Sequence, residues 1–171
     1  MANTYTLISS VTVGGGGAAT ISFTSIPQTY TDLIVKVSGR SNYAANYDYL
    51  NIKFNNSTSN YSSKVLYGTG AGAASTASAA DITFGGLNGN NSTANTFANS
   101  EYYIPNYVSS SQKSVSQDGV EETNATSTIF AFLTAGLWAD TSAITSITLS
   151  PNFGTNFVQY STAYLYGISN A

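Results

Sequence analysis

The run Gln159-Tyr160-Ser161-Thr162-Ala163-Tyr164-Leu165-Tyr166-Gly167-Ile168 constrains this chain more than any other stretch. Tyr160, Tyr164, Tyr166 and Ile168 fall on one parity, Ala163 and Leu165 on the other. An extended strand sends alternate side chains to opposite faces, so the run is a strand with two partly apolar faces. Such a strand sits inside a sheet, with a core on one side and a neighbouring layer or subunit on the other. Ile129-Phe130-Ala131-Phe132-Leu133 is apolar throughout and β-rich, and Ile144 to Leu149 is a third run of this kind. The three read as the middle of a β-sandwich.

The rest of the chain supplies further strands. Thr4 to Val13 alternates, and Gly14 to Gly17 follows as a flexible hairpin turn into Thr20 to Thr24. A phosphate-cradling loop would need a following helix and a lysine, and neither is there. Asp32 to Ser38 places Leu33, Val35 and Val37 inward and Lys36 outward. Tyr49 to Phe54 places Leu50, Ile52 and Phe54 in the core, with Asn51 and Lys53 facing water or a partner. Ser63 to Tyr67 is another strand. Gly68 to Ala80 is almost wholly Gly, Ala, Ser and Thr and reads as a surface loop. Asp81 to Phe84 is a short strand, and Gly85 to Thr96 a loop with an Asn88-Gly89 turn signal. Ser100 to Ile104 is a strand ended by Pro105. Asp118-Gly119 is the turn chemistry of a two-residue hairpin, joining Gln112–Gln117 to Val120–Asn124. No helical period or sustained heptad appears. About ten strands at this spacing predict a single all-β domain, residues 1–171, folded as an antiparallel β-sandwich. A jelly roll is the expected topology, with another Greek-key sandwich as the alternative.

Composition narrows function. Of 171 residues, 42 % are hydrophobic, which is enough for a core, but only 8 % are charged, against about 25 % in an ordinary domain. Ser, Thr, Asn, Gly and Tyr take the place of charge, and such a weakly self-repelling surface tends to associate. The five cations, Lys36, Arg40, Lys53, Lys64 and Lys113, are scattered against eight acids, so no phosphate-neutralising cluster is expected and nucleic acid is rejected as a partner. Without cysteine there is neither a disulfide framework nor a thiolate. Without histidine the usual general base and the commonest metal ligand are missing. No apolar run reaches bilayer length, and Met1 to Tyr5 does not read as a secretion signal. No cofactor, metal site or membrane partner is expected.

Candidate chemistry is sparse. Asp118, Glu121 and Glu122 form the densest acid cluster, but they lack the spacing of a Ca²⁺ loop and read as a solvated hairpin. Asp32 and Asp48 are a nominal carboxylate pair with nothing to single them out from other acids. Tyr43, Tyr47 and Tyr49, downstream of Arg40, sit at a loop mouth as candidates for a protein interface or a sugar face. The alternative is ordinary rim packing. Trp138 ends a buried strand and reads as core or interface. Asn-x-Ser/Thr patterns at Asn55, Asn56, Asn60, Asn90, Asn91 and Asn124 are expected by chance in this composition. The chain is not read as an enzyme.

Tyr5 to Val13 followed by Ile21 to Leu33, then Ser100 to Tyr107 and the closing Gln159 to Ile168, resembles small virion proteins of tailed phages, many from aquatic hosts. The likeness covers both ends well and the middle loosely, with Gly68 to Ala80 unmatched. It is a likeness of strand sequences and carries over no site residues. It implies a virion component, decorating or cementing the head or forming part of the tail. The chain has no shaft-like heptad or long repeat, which favours the head. Expected partners are the chain itself, as a trimer by analogy with threefold jelly rolls on such particles, and the major capsid protein or tail proteins. A tail-borne, lectin-like domain contacting glycan through Tyr43, Tyr47 and Tyr49 is the alternative.

Overall fold

The computed structural model describes residues 4–123 and 130–169. These form twelve strands and no α-helix: β1 (Tyr5–Thr12), β2 (Ile21–Phe23), β3 (Asp32–Gly39), β4 (Tyr47–Phe54), β5 (Tyr61–Gly68), β6 (Ala73–Ser78), β7 (Ile82–Asn88), β8 (Ala98–Ile104), β9 (Lys113–Glu121), β10 (Phe130–Trp138), β11 (Ile147–Pro151) and β12 (Thr162–Ile168). They make two sheets. One runs β1-β12-β3-β8-β9-β10-β5-β6, the other β2-β11-β4-β7, and every pairing is antiparallel.

Setting β5, β6, β9 and β10 aside leaves eight strands whose pairing is nested. β1 pairs with β12, β2 with β11, β3 with β8 and β4 with β7. A long hairpin ribbon rolled so that successive pairs fall alternately on two sheets is a jelly roll, the topology expected from the sequence. The remaining four strands come from two insertions, β5–β6 between β4 and β7 and β9–β10 between β8 and β11. The insertions find each other through β10 and β5, from Ala131↔Gly68 to Trp138↔Tyr61, and extend the larger sheet into a wing.

The core lies between the sheets. Leu33, Val35, Val37, Leu50, Ile52, Phe54 and Leu149 are buried as their parity predicts; Ile129, also expected there, lies outside the described residues. Ala163 and Leu165 enter the same core from β12, whereas Tyr164, on the opposite parity, stays exposed. Trp138 is buried, stacked on Tyr61 with ring centroids 6.2 Å apart. Each such large side chain contributes about 1.5–3 kcal/mol relative to exposure.

Several segments differ from the sequence reading. Asp118-Gly119 is no hairpin: β9 runs unbroken through it, and Leu133↔Asp118 and Phe132↔Gly119 lie mid-ladder with β10. Gly119 serves close approach, since a Cβ there would come 2.6 Å from Gln117 Nε2 and 2.8 Å from Ser100 Oγ. The supposed loop Gly68 to Ala80 contains β6, and the supposed loop from Gly85 opens with the second half of β7. Gly14 to Gly17 is a turn, closed by Gly17 N–H donating to Gly14 O, but it carries the chain from one sheet to the other instead of joining a hairpin. Tyr160 lies before β12 with φ 72° and does not share its alternation.

Candidate functional site

Tyr47 and Tyr49 open β4, and Tyr43 lies in the loop before it. The neighbouring loop between β7 and β8 is held by Arg40. Its guanidinium is buried and donates to the carbonyls of Asn90, Ser92, Thr93 and Thr96, at 2.7 to 3.2 Å. Burial without a carboxylate partner pulls the Arg40 pKa down. Asn90 N–H and Asn91 N–H in turn donate to Tyr43 O and Ala45 O, so the two loops at this end brace each other.

The structure does bring the three tyrosines together, though through a residue the sequence reading passed over. Tyr43 and Tyr49 both meet Phe153, with centroids 5.2 and 5.8 Å apart, and Tyr47 lies 5.7 Å from Tyr49. Inward, Tyr47 packs on Phe130, and Tyr49 on Phe84 and Phe132, forming a second aromatic cluster where the small sheet ends and the wing begins. All three tyrosines are half-buried, and burial pushes the Tyr49 hydroxyl up to about 12. Tyr47 and Tyr49 are therefore largely packing residues. Phe153, 52 % exposed, is the ring offered to a partner.

Phe153 stands on a pinned turn. Buried Asp48 accepts from Phe153 N–H at 3.0 Å and Gly154 N–H at 2.9 Å, while Asn42 Oδ1 accepts from Thr155 and Asn156 N–H. Asn152 N–H donates to Tyr49 O. With five consecutive amides satisfied, the ring is presented by a fixed backbone. The cue in the sequence was a lone phenylalanine between the turn formers Asn152 and Gly154.

The acids take structural roles. Asp32 accepts from Tyr103 Oη at 2.9 Å and Asn106 N–H at 2.8 Å, while Asp48 holds the turn just described, so the nominal pair is no pair. Asp118, Glu121 and Glu122 are not a solvated hairpin either. Asp118 faces solvent, whereas Glu121 is buried on the inner face of β9, where its Oε1 accepts from Leu87 N–H at 3.0 Å. Burial drives the Glu121 carboxyl up to about 9, with the nearby Asp48 charge pushing the same way and the Leu87 bond opposing. Among the described residues no group of three His, Cys, Asp or Glu could hold a metal ion, and no helix is long and apolar enough to cross a membrane. Asn55 is a turn residue at φ 51°, its amide bonded to Ala143, Thr145 and Ser146; Asn124 lies outside the described residues.

The cations are mostly spoken for. Lys36 pairs with Glu101 at 2.7 Å and Lys53 with Asp81 at 3.4 Å. Lys113 is buried and donates to Ser109 and Ser111 carbonyls. Lys64 remains exposed on the outer face of the wing. That face is mixed: exposed Asp118 pairs with Leu133 and exposed Ser116 with Ala135, alongside a group of exposed apolar residues. Leu133, Leu66 and Val120 are 60, 56 and 50 % exposed, Ala131 and Ala135 are exposed beside them, and the register places Leu133 directly against Leu66. An open depression of about 480 Å³ runs along it between Lys64, Ala77 and Leu137. The sequence reading places Leu66, Val120 and Leu133 on strands but does not reveal that those strands lie side by side.

No family model matches the chain, and no curated protein does. Among solved structures, the crystal structure of a "Putative pore-forming toxin from Bacteroides vulgatus" aligns at 10 % identity with a TM-score of 0.08. The alignment covers 80 % of this chain and 53 % of that one, so the chain spans about half its length, and a score so low is no likeness of fold.

Proposed function

We propose that this chain is a structural protein of a phage particle, a head decoration or cement protein that associates with copies of itself and with the capsid. The virion attribution rests on the strand sequences at the two ends of the chain. The observation that carries the assembly reading is the outer face of the wing, where Leu66, Leu133, Val120, Ala131 and Ala135 lie exposed and no described residue covers them. Scattered exposed leucines are ordinary; leucines in register on adjacent strands beside two alanines are a patch of the sort that marks an interface. No catalytic role is proposed, because Asp32, Asp48 and Glu121 are each engaged in holding backbone. The test is binding of purified protein to empty capsids, with imaging of particles carrying the labelled chain. Binding to the head, weakened by Leu133→Ser, is expected. Label confined to the tail, or absent from the particle, overturns the head assignment.

Phe153 favours one second reading, contact with a glycan from the tail. A rigid, exposed phenyl flanked by Tyr43, with Asn42, Asn152 and Thr155 around it and no exposed charge in the turn, suits the apolar face of a neutral sugar ring. Titration with host envelope polysaccharide separates the readings. Saturable binding lost in Phe153→Ala supports the glycan contact, and an unchanged signal in that variant removes it.

A further inference from the structure

The two sheets of this protein have four edges, and an open edge is a template for another strand unless something blunts it. β2 is only three residues long. β1 carries a register shift between Leu7 and Ser9, a bulge that breaks its ladder. β7 is bulged opposite Leu50 and Ile52, with Phe84 at φ 81°. The backbone of β7 is also engaged from the large sheet: Ser100 Oγ accepts from Gly86 N–H at 3.0 Å and Glu121 Oε1 from Leu87 N–H. Three edges are therefore closed by shortness, bulge or side-chain capping.

β6 has none of these devices. It pairs with β5 from Ser63↔Ser78 to Gly68↔Ala73 without a register shift, and its sequence, Ala73-Ala74-Ser75-Thr76-Ala77-Ser78, holds no charge and no proline. Residues Ala73 to Ala77 are exposed on both faces, so the strand buries nothing against the second sheet. Six residues held only by one ladder, with both faces and one edge bare of any described residue, are the least supported strand among the described residues.

We infer that the free edge of β6 pairs with β6 of a second copy, antiparallel, about a two-fold axis normal to the sheet. This deepens the assembly reading and names its contact. The occupant follows from chemistry: a charge-free strand of small residues meets its own copy without repulsion, and small side chains let two such strands lie flat together. The axis sets both outer faces on the same side, so the Leu66–Leu133 surfaces join across a continuous sixteen-stranded sheet. A six-residue pairing falls well below the roughly 1,200–2,000 Å² of a standard stable interface, so a weak dimer reinforced on a particle is expected. The symmetry is twofold, in place of the trimer that the resemblance implied.

The chain has no cysteine, which makes the test clean. Ser75 and Thr76 flank the middle of β6, and the one on the axis faces itself at about 4.5–5.5 Å between Cα atoms, within disulfide reach. Ser75→Cys and Thr76→Cys are oxidised mildly at high concentration, with Ser10→Cys on β1 as control. One β6 variant should give a covalent dimer and the control none. Thr76→Lys and Thr76→Asp should each shift sedimentation toward 17.8 kDa, and mixing them should restore the dimer. A self-associated protein that neither cross-links at β6 nor responds to Thr76→Lys overturns the β6 contact while leaving assembly standing. A monomer at every concentration, unable to bind capsids, overturns both.

Discussion

The jelly-roll half and the wing are made of the same kind of strand but are supported differently. In the jelly roll, β3 and β12 face β4 and β11 across the core, and Leu33, Val35, Leu50, Ile52 and Leu165 have no solvent contact. In the wing, support fades strand by strand. The inner face of β9 is buried along its whole length, and so is that of β10. On β5 it loosens at Tyr67, and on β6 no inner residue is buried. The small sheet stops at β7, so the large sheet overhangs it, and Tyr47, Tyr49 and Phe84 close the step. One half holds the fold together. The other half is surface displayed by it.

Substitutions on the two sides should separate by an order of magnitude. Phe54→Ala in the core should cost about 3–5 kcal/mol, read from urea denaturation. Leu133→Ser on the wing's outer face should change stability by less than about 0.5 kcal/mol while weakening capsid binding. Equal losses would mean that the wing's outer face is packed after all.

The joint between the halves gives an effect that depends on pH. Glu121 holds its proton to about 9 in the folded state, against about 4.5 for an unperturbed carboxyl. Between those values the folded protein binds a proton that the unfolded chain has released, so stability falls as pH rises through this window and levels off above it. The slope should approach 1.4 kcal/mol per pH unit. Glu121→Gln keeps a carbonyl for Leu87 N–H and should flatten the dependence; a wild-type profile level from pH 5 to 9 would place Glu121 in water.

Much of the jelly roll was legible because burial on one face writes a period-two pattern, clear in Leu33, Val35, Val37 and in Leu50, Ile52, Phe54. The wing was less so, for the same reason. A strand such as β6 that buries nothing carries no pattern, and Ala-Ala-Ser-Thr-Ala-Ser reads as loop. Asp118-Gly119 misled because glycine answers two needs with one residue, positive φ in a turn and close approach in a sheet. Glu121 reads as solvated because a sequence does not reveal that an edge strand requires an acceptor there. Tyr43, Tyr47 and Tyr49 were found as a group, but Phe153, which links them, arrives from over a hundred residues away.

Two smaller effects sharpen the contrast. Gly119→Ala should cost about 1–3 kcal/mol by overpacking against Gln117 and Ser100; a neutral result would mean that those two side chains shift to make room. Tyr61→Phe removes the hydroxyl that accepts from Phe54 N–H at 2.8 Å and should cost about 1 kcal/mol.

Hydrogen exchange of the amides of Ala73–Ser78, compared between dilute and concentrated protein, tests most directly whether the wing is the assembling surface. Exchange should be fast in the dilute sample and slow markedly with concentration, while the amides of β3 and β12 stay protected in both. Concentration-dependent protection elsewhere, with β6 fast throughout, would contradict the account.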